Sequence, residues 1–258
     1  MSAPQTFWEH LDELRGSLIK IALAIMICTI VAFCFKTVLF NVLLAPTADG
    51  FITYRLLGQL TQQFANQPLQ PLDVQLINTG LAHQFLLHVK AAFSIGLLAA
   101  SPYIVYLLFH FVAPALYQSE RRLAIQLVVS GYAMFLLGLL LSYYLIFPLT
   151  YRFLGSYQVS DAVANTVTLA SYLETLLMLS LSMGIVFEIP ILCRILSKMG
   201  WINSTIMIRY RRHVAVALLL LAAIITPTSD AFTLLLVALP MHLLYELSIL
   251  VVKAEKRT

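Results

Sequence analysis

Six apolar runs limit what this chain can fold into: roughly residues 18–39, 84–109, 123–147, 171–196, 213–225 and 231–252. A helix needs about 20 apolar residues to cross a hydrocarbon core of about 30 Å. Five runs reach that length. The fifth in order, H-V-A-V-A-L-L-L-L-A-A-I-I (213–225), does not. At 1.5 Å per residue it covers only about 20 Å, so either its flanks extend it or the bilayer thins around it. Composition agrees with a membrane solvent: 60% of the 258 residues are hydrophobic and 11% are charged, far from a soluble domain. The expected fold is an all-α integral membrane protein, one membrane domain over residues 1–258 with six transmembrane helices and a short fifth helix.

Basic residues set the orientation. With the N-terminus inside, the cytoplasmic segments hold Arg15, Lys20, Arg121, Arg122, Arg194, Lys198, Arg209, Arg211, Arg212, Lys253, Lys256 and Arg257. The opposite side holds Lys36, Arg55, Lys90 and Arg152. This bias predicts that both termini are cytoplasmic. The N-terminus does not read as a cleavable signal, because its flank is acidic and its apolar run exceeds an h-region. The net charge of +4 is scattered between apolar runs, which argues against nucleic-acid binding. Cys28, Cys34 and Cys193 make no disulfide framework and read as small apolar filler.

The outer loops differ in length. Residues 40–83 form a long one carrying Phe51, Tyr54, Leu57, Leu60 and Phe64, a spacing that predicts a short helix lying on the membrane or capping the bundle. Residues 148–170 form a second loop, and T-P-T-S-D (226–230) a tight turn before the last helix.

Soluble-enzyme motifs are absent: no G-x-S-x-G, H-E-x-x-H or phosphate-binding loop occurs. The chain is therefore expected not to be an enzyme, with no catalytic residues, cofactor or metal. Three acids lie within the apolar runs. Glu188, in G-I-V-F-E-I-P (184–190), would cost roughly 2.5–3.5 kcal/mol as a charge at a helix centre, so it must be neutral or face water or a partner. Pro190 frees the carbonyl of Val186, which predicts a kink or groove here. Glu246 follows His242 by four residues and can satisfy itself through that neighbour. Glu174 fits the acid preference of a first helical turn.

The segment before the first run, F-W-E-H-L-D-E-L-R (7–15), carries carboxylates where basic residues are usual. As a helix over 7–17 it would place Phe7, Leu11, Leu14 and Leu18 on one stripe and Glu9, Asp12 and Glu13 opposite. Such a helix lies in the membrane interface with its acidic face toward the cytosol. An anionic leaflet repels that face, which leaves either simple solvation or docking of a cationic partner. Between the second and third runs, Pro114 breaks the chain, and Ser119 with Glu120 opens the next helix. If Glu120 faces the cytosol beside the N-terminal helix, two carboxylates could grip one dicationic ligand.

Taken in order, E-H-L-D-E-L-R (9–15), F-V-A-P-A-L-Y-Q-S-E-R-R (111–122), F-E-I-P (187–190) and T-P-T-S-D (226–230) resemble the TatC family, the polytopic subunit of the twin-arginine protein translocase. The resemblance runs from about residue 10 to residue 246. It implies a cupped six-helix bundle in the bacterial cytoplasmic (inner) membrane. The implied function is recognition of twin-arginine signal peptides on precursors exported already folded, with transport driven by the proton-motive force. By position, Glu13 and Glu120 match the acids that receive the arginine pair. Leu14 and Arg15 of the first motif, with Phe111 and Pro114 of the second, complete the set expected to bind the signal peptide. Glu188, beside Pro190, matches the buried acid of the concave face. Pro46, Phe111 and Asp230 match positions of recognised importance, and Glu246 is grouped with Pro46 and Asp230 as a partner or structural residue. Implied partners are single-span proteins of the TatA and TatB kind; self-association and contact with membrane lipid are expected as well.

The alternative class is a proton-coupled small-solute transporter using Glu188 and Glu246 as relays. It accounts for the buried acids but not for the acidic N-terminal helix.

Overall fold

A computed structural model describes residues 7–65, 74–112, 121–158, 160, 166–227 and 230–255. The fold is almost entirely helical. Among the described residues five stretches are long and apolar enough to cross a membrane: Leu14–Cys34, His83–Leu107, Val128–Ser156, Leu169–Lys198 and Ala231–Lys253. The chain divides into two compact units, Met1–Leu39 with Val89–Ala133 and Phe40–His88 with Met134–Thr258.

In the first unit, α1 (Phe7–Cys34) is one uninterrupted helix of 28 residues. The amphipathic pattern and the apolar pattern therefore change along a single hydrogen-bonded ladder. None of its apolar window is buried within the protein. It meets α4 (His83–Val112) closely where Gly96 faces Thr29; a Cβ on Gly96 would lie 2.6 Å from the Thr29 amide nitrogen. Small residues let membrane helices approach this way. Inside α4, Pro102 removes the amide that would bond the Leu98 carbonyl. The Ser101 hydroxyl fills that vacancy, donating to Leu98 at 2.6 Å.

The second unit begins with α2 (Lys36–Leu44), whose last residues lie in this unit, then a 3-10 turn (Ala45–Thr47) and α3 (Ile52–Ala65). The spaced apolar set of the long loop does form a helix. Only its start is buried, at Phe51, Thr53 and Tyr54, while Leu56 and Leu60 are exposed. A short parallel pairing joins two loop strands, β1 (Leu76–Ile77) and β2 (Val167–Thr168).

α5 (Arg121–Leu141) passes through a π-helical turn (Ser142–Ile146) into α6 (Phe147–Ser156). α7 (Leu169–Val186) starts at the Thr168 cap, whose hydroxyl accepts the Ser171 amide at 3.2 Å. Two turn residues, Phe187 and Glu188, separate it from α8 (Ile189–Lys198). Pro190 lies in the first turn of α8, where its missing amide costs least. The expected break thus lies one residue after Val186. α9 (Ser204–Arg209) and α10 (Arg211–Ile225) follow. The 15 residues of α10 span about 22 Å, so α10 is not among the five stretches long enough to cross a membrane. α11 (Ala231–Glu255) packs along α8 and α10 with Val237, Met241, Tyr245, Ser248 and Val252 buried. Steps of four and three residues put these on one face.

Candidate functional site

The residues expected to bind a signal peptide lie at the edge of what the structure describes. Glu13 is in the second turn of α1, and Leu14 and Arg15 follow it, Leu14 half-buried and Arg15 exposed. Asp12 beside them is exposed. Phe111 is the penultimate residue of α4. Pro114 and Glu120 lie outside the described residues.

The α7–α8 break is fully described. It presents Glu188 half-buried, with Pro190 buried beside it. The Glu188 amide donates to the Ile185 carbonyl at 3.0 Å, and its own carbonyl accepts the Leu192 amide at 2.9 Å. Its backbone is satisfied. Its side chain is not: Oε1 is buried with no hydrogen-bond partner among the described residues. α5 closes on the break through glycine. A Cβ on Gly138 would collide with the Met183 carbonyl oxygen and lie 2.8 Å from the Phe187 ring, and one on Gly184 would lie 2.7 Å from the Phe135 ring. Two glycines facing two phenylalanines hold this junction tight.

At the end of α2 the opposite condition holds. A helix leaves its last four carbonyls without partners, and here hydroxyls meet three of them. Tyr143 donates to Val42 at 2.6 Å, Tyr172 to Leu43 at 2.9 Å and Thr47 to Leu44 at 2.7 Å. Just beyond, the Tyr54 hydroxyl is shared between the Pro46 carbonyl at 3.0 Å and the Pro148 carbonyl at 3.3 Å. Thr53 donates to the Tyr144 carbonyl within the π-turn. The rings form two groups: Phe147 and Tyr151 meet Tyr172 edge-on at 5.0 and 5.2 Å, and Tyr144 stacks on Phe51 at 5.6 Å. The Arg152 guanidinium lies 5.7 Å from the Tyr54 ring centre. Burial pushes the Tyr54 hydroxyl well above its ordinary range, with Tyr151 and Asp49 adding to this and Arg152 opposing it. Tyr54 therefore remains a donor throughout the physiological range. Pro46 is thus held at a point where α2, α3 and α6 meet. Sequence reasoning missed the tyrosines; the available signal was their position at the ends of apolar runs, where aromatic residues with a polar tip gather.

The remaining expected residues have structural partners. Asp230 caps α11, its Oδ1 accepting the Thr233 amide at 2.6 Å. Glu246 does not rely on His242. Its Oε2 pairs with the Arg211 guanidinium at 2.5 Å, across to the start of α10. The reason is charge and shape: arginine carries a permanent cation with forked donors that match a carboxylate, and an imidazole has no such fork.

The model of the family "Sec-independent protein translocase protein (TatC)" matches residues 9–240. A Sec-independent protein translocase protein TatC of Blattabacterium is 33% identical over 248 residues, covering 94% of this chain and 93% of that protein. The protein of the same name from Aquifex aeolicus is 32% identical over 250 residues, covering 96% and 95%. A crystal structure of the twin arginine translocase receptor TatC superposes with a TM-score of 0.77 at 31% identity, covering 95% of this chain and 99% of that one. These likenesses lend the transporter alternative no support. Spanning nearly its whole length, they establish that this chain belongs to the TatC family.

Proposed function

We propose that this chain is the non-enzymatic receptor subunit of a twin-arginine translocase in the bacterial inner membrane, binding the signal peptides of folded precursors at its cytoplasmic face. The observation that carries this reading is the extent of the family match. Residues 9–240 include both acidic motifs, 9–15 and 111–122. A solved relative is described as the twin arginine translocase receptor. Both termini and the connection between α4 and α5 then face the cytoplasm, α10 is a sixth, short span, and Glu13 and Glu120 receive the arginine pair. Leu14, Arg15, Phe111 and Pro114 shape the surroundings. Single-span TatA- and TatB-like proteins join the complex, and the proton-motive force drives transport.

Magnitudes divide the labour. An exposed ion pair contributes about 0.2–1 kcal/mol, and a charge-assisted arginine–carboxylate contact about twice a neutral hydrogen bond. Two such contacts give selectivity, so most affinity comes from the apolar part of the signal. Glu188, with a buried oxygen lacking a donor and a broken helix beside it, is the point where an incoming helix would supply one.

The test is photo-cross-linking from positions 13 and 120 to a twin-arginine signal peptide. Cross-links at both, lost when the peptide arginines are replaced by alanine, are the expected result. Absence of both, or cross-links indifferent to the arginines, contradicts the reading.

A further inference from the structure

The segment between α8 and α10 is a rigid platform with an unusual outward face. α8 ends where Gly200 takes a φ of +78°, a left-handed conformation open to glycine at little cost. The Gly200 amide donates to Ser197 and the Trp201 amide to Leu196, both at 3.0 Å, the bond pair of a Schellman ending. This turn delivers the Trp201 ring to the surface, 69% exposed. The Asn203 side chain then caps α9, accepting the Ile206 amide at 2.8 Å. Two contacts fasten the segment to α11. Met207 is buried and its carbonyl accepts the Tyr245 hydroxyl at 2.9 Å; Arg211 pairs with Glu246. Ile206, Ile208 and Tyr210 of the same segment are exposed, as Trp201 is. Arg209 and Arg212 are exposed with them.

We propose that residues 201–212 form a binding site for anionic phospholipid headgroups. The Trp201 and Tyr210 rings would lie at headgroup depth, and Arg209 and Arg212 on lipid phosphates. Three observations select lipid over an acidic protein. The exposed set mixes two amphipathic rings, two isoleucines and two arginines, the composition of an element lying in a membrane interface. α10 covers only about 22 Å of a core of about 30 Å, so the arginines at its start sit at the headgroup boundary. There the nearest anions are lipid phosphates, which accept an arginine fork with two parallel bonds. The adjacent Arg211 is already neutralised by Glu246, which leaves Arg209 and Arg212 as the headgroup contacts. This site does not depend on which side of the membrane the loop occupies.

The test uses the full chain with Trp8→Phe, so that Trp201 is the sole tryptophan, in phosphatidylcholine nanodiscs accessible from both faces. Trp201 quenching is compared for brominated phosphatidylglycerol and brominated phosphatidylcholine at equal mole fraction. A basic residue near an anionic surface gains about 1 kcal/mol, roughly fivefold in occupancy, so phosphatidylglycerol should be preferred at least fivefold at low salt. Arg209→Gln with Arg212→Gln should bring the ratio close to one, while Arg209→Lys with Arg212→Lys should keep most of it. Equal quenching by the two lipids in the unaltered platform overturns the proposal. So does quenching by neither, as burial against an acidic protein segment would give. A preference that survives the glutamine pair overturns it as well.

Discussion

Two places in the second unit interrupt the helical ladder, and they are finished in opposite ways. Where α2 ends, side-chain hydroxyls meet the carbonyls of Val42, Leu43, Leu44 and Pro46. Where α7 ends, the backbone is satisfied but a Glu188 oxygen is buried with no donor among the described residues. A buried polar group without a partner costs about 1–3 kcal/mol. The Pro46 carbonyl is fixed within the frame of the described residues, whereas on the function proposed above the Glu188 oxygen takes a group supplied from outside.

Substitutions can break that comparison. The largest stability loss is expected from Gly138→Ala, whose added carbon meets the Met183 carbonyl and the Phe187 ring. Overpacking of this kind costs about 1–3 kcal/mol, read as a lowered thermal midpoint in detergent. Tyr172→Phe comes next, because it strands the Leu43 carbonyl beneath a ring that is only 2% exposed. A loss of about 1–2 kcal/mol is expected; no loss would mean that the hydroxyl caps are incidental. Tyr143→Phe, at a less buried hydroxyl, should cost about 1 kcal/mol or less. Glu188→Gln should change the midpoint least, by the equivalent of less than about 0.5 kcal/mol, since it breaks no bond within the described chain. Export of a twin-arginine precursor should nevertheless fall. A destabilisation as large as that of Tyr172→Phe would make Glu188 part of the frame and erase the contrast.

How much of this was legible in sequence depended on the range of the interaction. The apolar runs, the helix α3 in the long loop, the interruption at Pro190 and the shortness of α10 are local patterns, each determined by length, periodicity or a missing amide. Pairings between elements were not legible. Glu246 had a plausible local neighbour in His242, but the partner it takes, Arg211, is 35 residues away and arrives through the packing of α10 on α11. The tyrosine caps are of the same kind: Tyr172 reaches Leu43 across 129 residues, and nothing in either local sequence names the other. At the acidic motif, the helix over residues 7–17 and the first apolar run form one continuous α1, because a change of surface pattern needs no break in the backbone. Spacing leaves the solvated and docking readings of Glu9, Asp12 and Glu13 open, and the docking reading is part of the proposed function.

The central claim is that two carboxylates read two arginines. It is tested most directly by the affinity of a twin-arginine signal peptide for the full chain in nanodiscs, set against the same peptide with both arginines replaced by lysine. Lysine keeps the charge but cannot fork onto a carboxylate, so the lysine peptide should bind about tenfold more weakly, a difference of about 1.4 kcal/mol. Glu120→Ala should then reduce both peptides to the same weak level. Equal affinity of the arginine and lysine peptides, or a preference that persists in Glu120→Ala, would contradict the claim.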